Sequence, residues 1–359
     1  MIDTKLSNQN NYIAIMAGGV GTRFWPASRT SKPKQFLDIL DIGSSLLQMT
    51  YYRACKIVPS ENVIIVSNKN YKSLIQEQLP GLNANQILLE PSMNNTAPCV
   101  LYTALHLKAK NVNSCFAVIP SDHMILKEDI FIKKMHMAFE YASNHNAIVT
   151  LGIQPTRPDT GYGYINYRVS DKSVLDVIEF KEKPDMETAQ QYVDSGEYLW
   201  NAGIFAWSVG TIIQSFEQNA PDILKVLNEK EEHYGTENEQ KYIDRVYPNT
   251  RNISVDFAIL EKSKNVKTIP SDIGWSDLGT WNSLYNYLDR DGNDNVVQSE
   301  RTKLIDSKGN LIRSKKLVVI KGLEDYIIVD DDNILLIYPR SEEQQIKEIR
   351  NNLDYPELK

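Results

Sequence analysis

The chain has 359 residues, 42% hydrophobic and 24% charged, with a net charge of −7. That length buries a sizeable core and leaves room for a smaller appendage, and the composition excludes a disordered or fibrous class. The mildly acidic balance argues against nucleic acid as a partner, which calls for a basic surface, so any phosphate site has to be local.

In chain order, an apolar run at 12–17 predicts a strand, followed by Gly18-Gly19-Val20-Gly21 and a segment broken by Pro26 and Pro33. The first helix is expected over 45–52. Strand-like runs at 63–67, 87–89, 115–119 and 147–153 then alternate with helical patterns at 71–79, 97–110 and 131–143. This βαβ alternation predicts an α/β fold: a Rossmann-like, mostly parallel sheet with helices on both faces and ligands at the carboxyl ends of its strands. The glycine run lies at one such end. Beyond residue 161, strands are expected at 164–168, 174–182 and 203–207, and helices at 211–218, 223–233 and 280–288. A polar turn over 289–295 sets a boundary near 290, separating a large domain, 1–290, from a small C-terminal β domain, 291–359. The latter should carry strands at 317–320, 326–329 and 334–337 and a terminal helix over 342–352 whose Ile346, Ile349 and Leu353 share a face. No repeat long enough for a solenoid is visible.

Cys55, Cys99 and Cys115 sit in apolar stretches without metal or disulfide spacing and read as reduced core residues. Residues 1–11 are polar and no run is long enough to span a bilayer, so a cytoplasmic protein without a membrane partner is expected.

The glycine run carries the densest chemistry. Glycines directly after a strand let backbone N–H groups approach a phosphate, and Arg23 and Lys34 can add charge-assisted bonds. The pattern is neither a Walker loop nor the dinucleotide fingerprint, which needs a glycine where Phe24 stands. A glycine turn beside solvated basic residues is the plainer alternative.

The run GGVGTRFWPASRTSKPKQFL resembles the signature of nucleotidylyltransferases that act on sugar 1-phosphates, and its FWP, SR and PKQFL parts are similar to the mannose-1-phosphate guanylyltransferase branch. Further matches follow in family order. They are Glu90-Pro91 with Asn95-Thr96-Ala97-Pro98, Pro120-Ser121-Asp122-His123, Thr160-Gly161-Tyr162-Gly163-Tyr164-Ile165, Glu182-Lys183-Pro184, Trp200-Asn201-Ala202-Gly203-Ile204-Phe205 and Gly274-Trp275-Ser276-Asp277-Leu278-Gly279-Thr280-Trp281. The tail segment Gly322–Asp330 resembles the family's small β segment.

The resemblance implies a nucleotide-diphospho-sugar transferase fold whose catalytic domain is 1–290, and a reaction in which mannose 1-phosphate attacks the α-phosphate of GTP to give GDP-mannose and pyrophosphate. It implies catalytic Arg23, Lys34 and Lys183, and Mg²⁺ held by Asp122 and Asp277. Gly18, Gly19, Gly21, Thr22, Asn95, Thr96 and Ser121 would border the nucleotide, and Gly161, Tyr162, Gly163, Glu182, Asn201 and Gly203 the sugar. The chemistry is consistent with so few groups: a phosphate monoester has a second pKa near ~6, so the nucleophile is already dianionic and needs no protein base. Positioning and charge neutralisation remain. Two departures stand out, Met93-Asn94 where many members carry Gly-Arg and Ala202 where serine is frequent, and base selectivity and triphosphate affinity are most open at the first.

Plainer roles compete for several of these residues. Asp122 and Asp277 also suit turns or helix caps, Glu182 and Lys183 a surface ion pair, and the glycines simple turns. His123 fits capping or core packing, and Phe24, Trp25, Trp275 and Trp281 a packed rim. Another sugar phosphate or nucleotide, and a regulatory subunit that has lost catalysis, remain as alternatives. So does a glycosyltransferase using the Asp-x-Asp spacing in Asp330-Asp331-Asp332, and the tail offers a surface for packing or for a homodimer.

Overall fold

The computed structural model describes residues 9–355 and 358, so most of the polar N-terminal stretch lies outside the described residues. The chain packs into two compact units. The first takes the residues up to Gly18, Thr50–Ser121 and Ile125–Trp275; the second takes Gly19–Met49, Asp122–Met124 and Ser276–Lys359.

The first unit is built on a nine-stranded sheet. Its strands are β1 (Asn11–Met16), β2 (Val63–Asn68), β3 (Ile87–Glu90), β4 (Cys115–Pro120), then, past the two-residue β5 (Met124–Ile125), β6 (Ile148–Ile153), β7 (Gly163–Tyr167), β8 (Leu175–Glu182), β9 (Tyr198–Ser208) and β10 (Val266–Pro270). The order across the sheet is β3-β2-β1-β4-β9-β6-β10-β8-β7. The first four strands pair in parallel, as the βαβ alternation predicts. From β9 onward the sheet is mixed, because β9 runs antiparallel to both β4 and β6. Only its second half reads as a strand in the sequence, since Asn201 and Gly203 interrupt the apolar run.

Both faces of the sheet are covered, which explains the continuous apolar runs. Tyr12, Ala14, Ile64, Val66, Phe116 and Val118 share one core with the helix α3 (Thr96–Lys110), which follows α1 (Leu46–Ala54) and α2 (Lys72–Gln78) in the chain, and with α6 (Val209–Asn219) and α7 (Pro221–Leu227), which follow α5 (Met186–Ser195). Ile13, Ile15 and Ile65 alternate to the opposite side and are equally buried. The helix α4 (Glu128–Asn144) packs on β4, β6 and β9. The helix expected over 223–233 stops at Leu227, and a separate 3-10 turn covers Glu231–His233, because the apolar positions end there. Met186–Ser195, Glu239–Val246 and a π-helical turn at Asp256–Leu260 are additional helical elements.

The second unit holds the glycine loop and the C-terminal strands. Val296–Gln298, Leu311–Arg313 and Tyr326–Asp331 form one parallel ladder, and Thr302–Ile305 pairs in parallel with Val318–Lys321 to form another. Chain order alternates between the ladders, so the segment winds as a short coil. Val296 pairs with Leu311 and Leu311 with Ile327, fifteen and sixteen residues apart. The corners carry residues at positive φ, Asp294, Gly309 and Asp325 on one edge and Asp306 and Gly322 on another. Buried Asn310 donates through Nδ2 to Asn295 Oδ1 at 3.0 Å and accepts from Tyr326 N at 2.9 Å, tying successive turns. A repeat is therefore present that composition hides, since only corner geometry and inward apolar positions recur. Ile334–Pro339 closes the first ladder antiparallel. The core of this unit joins Phe24, Trp25 and Leu37 from the loop segment to Trp281, Val296, Leu311, Ile327 and Ile346. The terminal helix expected over 342–352 is α-helical only at Ile346–Asn352, after a 3-10 turn at Arg340–Gln345, and Ile349 is exposed while Ile346 is buried. Among the described residues no helix is long and apolar enough to cross a membrane.

Candidate active site

Within the second unit the glycine loop is shaped by one conformational requirement. Gly21 has φ 68°, and a Cβ there would lie 2.4 Å from Lys34 Cβ, so only glycine fits. Gly21 O accepts from Ser28 Oγ, Gly19 O accepts from Gln35 Nε2 at 2.9 Å, and Lys34 N donates to Val20 O at 3.3 Å. The loop is thus clamped by its own downstream segment, while space stays open above Gly19. Thr22 begins the 3-10 turn Thr22–Phe24, and Arg23 on it is exposed.

Lys34 is the hub of this unit's polar cluster. Its side chain is buried, with Nζ 3.0 Å from Asp122 Oδ2, 2.9 Å from Asp277 O and 5.5 Å from the centre of the Phe24 ring. A buried ammonium needs such partners. Burial alone would raise the Asp122 pKa, but the Lys34 charge and hydrogen bond, with His123 adding to them, hold it below the ordinary carboxylate value. His123 is half-buried beside it. Asp277 Oδ1 accepts from Gly279 N at 3.2 Å, and Leu278 between them has φ 45°. The structure thus brings the carboxylate of Asp122 and the main-chain carbonyl of Asp277 onto one lysine. Among the described residues no group of three or more His, Cys, Asp and Glu side chains is placed to hold a metal.

The Asp330-Asp331-Asp332 run is engaged elsewhere in the same unit. Asp330 pairs with Lys316 at 2.6 Å and with Ser314, and Asp331 faces Arg29 at 3.8 Å. Phe24 packs against Trp281 with the rings tilted by 56° and their centres 4.8 Å apart, inside the core rather than at a rim.

In the first unit the remaining candidates fall into two groups. Around the end of β3, Glu90 is buried, accepts from the Tyr247 hydroxyl, and lies so that a Cβ on Gly18 would sit 3.4 Å from Oε2. Burial pushes its pKa to about 7, against the Tyr247 and Cys99 hydrogen bonds. Asn95, at φ 68°, caps α3 by accepting from Thr96 N at 2.9 Å, and Thr96 Oγ1 accepts from Val255 N at 2.9 Å. Asn94 donates to Tyr247 O, Thr250 O and Thr250 Oγ1 at 2.9–3.1 Å, so this departure from the family pattern anchors the 247–250 segment. Ser121 is buried after β4, with N donating to Met16 O and O accepting from Thr50 Oγ1.

The second group surrounds the end of β8. Lys183, at φ 48°, donates through N to Tyr162 O at 3.2 Å, and its ammonium pairs with the nearly buried Glu182. A Cβ on Gly163 would come within 2.5 Å of Glu182 Oε2, so glycine there makes room for the carboxylate. Asn201 sits opposite Gly152, where the β6–β9 register shifts, a device that re-aims a side chain. Asn201 Nδ2 donates to Asp256 Oδ1 at 3.1 Å, and its Oδ1 accepts from Gly203 N at 3.1 Å. Tyr162 meets Trp200 and Trp275 edge-on at 5.1 Å, and the Arg157 guanidinium lies 5.2 Å from the Trp200 ring. Gly161 N donates to Asp159 Oδ1 at 2.9 Å, in a turn. Asp256, Glu90 and Arg157 are absent from the sequence-derived set. The first lies on the π turn, which no 3.6-residue period reveals, whereas Glu90 stood inside a recognised motif.

Residues 13–293 match the model of the nucleotidyl transferase family. A mannose-1-phosphate guanylyltransferase from Escherichia coli is 36% identical over 354 residues, covering 95% of this chain and 75% of its own length. Another from Salmonella montevideo is 37% identical over 345 residues, covering 93% and 72%. A crystal structure from Thermus thermophilus, described as a mannose-1-phosphate geranyltransferase, superposes with a TM-score of 0.87 at 28% identity, covering 96% of this chain and all of that one. The chain belongs to the nucleotidyl transferase family, among the mannose-1-phosphate guanylyltransferases.

Proposed function

We propose that the chain joins mannose 1-phosphate to GTP. One non-bridging oxygen of the sugar phosphate forms a bond to the α-phosphorus of GTP, the bond from that phosphorus to the bridging oxygen breaks, and pyrophosphate leaves. The observation that carries this reading is Lys34, a buried ammonium shared by Asp122 and the Asp277 carbonyl next to a glycine loop that leaves backbone open above Gly19. Such a cluster serves phosphoryl chemistry, in which the protein positions anions and neutralises charge.

In this reading Lys34 and Arg23 offset charge on the triphosphate. Backbone N–H groups of Gly19, Gly21 and Thr22 contact its phosphates, with Gly18, Asn95, Thr96 and Ser121 bordering the nucleoside. Lys183 binds the sugar phosphate, while Glu182 and Asn201, flanked by Gly161, Tyr162, Gly163 and Gly203, bind the hexose. An ionised Asp122 with Asp277 forms the sparse oxygen donor set that Mg²⁺ prefers when phosphates and water complete its shell, so we assign Mg²⁺ to this pair. When bound, the ion supplies Lewis-acid stabilisation of phosphate charge. The proposed setting is the cytoplasm.

The test is pyrophosphate release over a matrix of nucleoside triphosphates and hexose 1-phosphates, with and without Mg²⁺. Turnover should be greatest with GTP and mannose 1-phosphate, and no turnover with any pair would sink the reading. Lys183→Ala should raise KM for the sugar phosphate about tenfold or more, the loss of a charge-assisted bond, with KM for GTP little changed.

A further inference from the structure

Asp256 belongs to no motif and to no role assigned above, yet it closes a polar network in the first unit. The amide of Asn201 has its two ends fixed by different partners. Gly203, at φ 68°, aims its N–H at Asn201 Oδ1, and Thr150 Oγ1 approaches the same oxygen at 3.2 Å. A backbone N–H can only donate, so the oxygen must face it and the NH₂ must face Asp256. One N–H of Asn201 goes to Asp256, which leaves the second for another acceptor. Asp256 also sits in the field of Glu182, whose carboxylate fills the space beside Gly163.

We infer that Asp256 is a positioning residue whose carboxylate locks the Asn201 amide in one orientation, so that Asn201 and Glu182 present a fixed donor and acceptor set to the hydroxyls of the hexose phosphate. This rests on the proposed sugar site. A flipped amide would offer an acceptor where a donor is needed, and the mispaired group would cost affinity for the sugar alone.

The residue is not explained by stability. Burial, and then the negative charge of Glu182, raise the Asp256 pKa to about 7, only partly offset by Lys183 and by hydrogen bonds from Ser254 and its own backbone N–H. Glu261, whose carboxylate accepts from Glu182 N at 3.2 Å, brings a further acid rather than a compensating cation. A carboxyl kept in such a place above neutral pH destabilises the fold. It sits, moreover, on a π-helical turn, a geometry that recurs at functional sites.

Two variants of the full chain decide the matter. Binding of mannose 1-phosphate and of GTP is measured by calorimetry, KM for each by pyrophosphate release, and Tm at pH 8. Asp256→Ala should weaken mannose 1-phosphate about tenfold, as expected for one lost polar contact, while GTP changes less than about twofold. Asp256→Asn keeps an acceptor for Asn201, so sugar-phosphate affinity should stay within about threefold of wild type and Tm should equal or exceed it. Unchanged sugar-phosphate affinity in Asp256→Ala would overturn the proposal, as would equal weakening of both substrates together with a lower Tm in both variants. Absence of turnover in the wild type would instead overturn the guanylyl-transfer reading, and the binding comparison would still judge Asp256.

Discussion

Lys34 and Glu90 show opposite ways of keeping a charged group inside a protein. Lys34 has two oxygen partners within 3.0 Å, whereas Glu90 has only uncharged donors and rises to about 7 from an ordinary value of 4.5. Because the folded value lies above the unfolded one, the stability present below about 4.5 is lost as pH climbs through about 7. Replacing Glu90 by Gln should therefore raise stability at pH 8, on the order of 1 kcal/mol, and the gain should vanish near pH 4.5, as thermal melts across pH would register. Asp122 has the opposite sign: its depressed value stabilises the fold above the unfolded pKa and that contribution is lost in acid. Such assignments were only half visible in the sequence. Lys34, Asp122 and Asp277 could be named from motifs, but that one ammonium serves the Asp122 carboxylate and the Asp277 carbonyl depends on a turn at Gly21 that brings Lys34 back onto the loop.

Among the elements, the parallel strands and α3 were legible because fully buried segments are apolar throughout. What the sequence concealed has physical causes. Eleven-residue β9 is split by Asn201 and Gly203, which its sugar-facing position requires in the proposed reading. The π turn at Asp256–Leu260 obeys no common period. The C-terminal coil repeats in shape rather than in residue type, with aspartate or glycine serving equally at its left-handed corners. Its weakest substitution should be Asn310, buried and bonded to Asn295, Leu323 O and Tyr326 N. Asn310→Ala leaves those groups unpaired and should lower stability by about 1–3 kcal/mol, readable in denaturant melts, whereas a change at exposed Val319 should be nearly silent.

At the scale of the whole molecule, the boundary near 290 remains a proposal about which part can stand alone, and the packing bears on how to test it. The second unit's core is shared between Phe24, Trp25 and Leu37 on one side of the sequence and Val296, Leu311, Ile327 and Ile346 on the other. Cutting after residue 290 removes the latter group and exposes the former. We expect the truncated chain to lose the cooperative melting of the loop segment and its nucleotide binding, while the nine-stranded sheet keeps its far-UV signature. Retention of GTP affinity by the truncated chain would show that residues 1–290 fold and bind nucleotide without residues 291–359.

The coil also sets a rule for how this part of the chain can change length. Along the ladders each turn pairs only with the turn before and the turn after it, so a turn added or removed whole, fifteen or sixteen residues at a time, leaves the ladders in step. Insertions of other sizes have to bulge out at a corner. Lengths tolerated in this region, in laboratory variants as in natural relatives, are thus expected to be quantised.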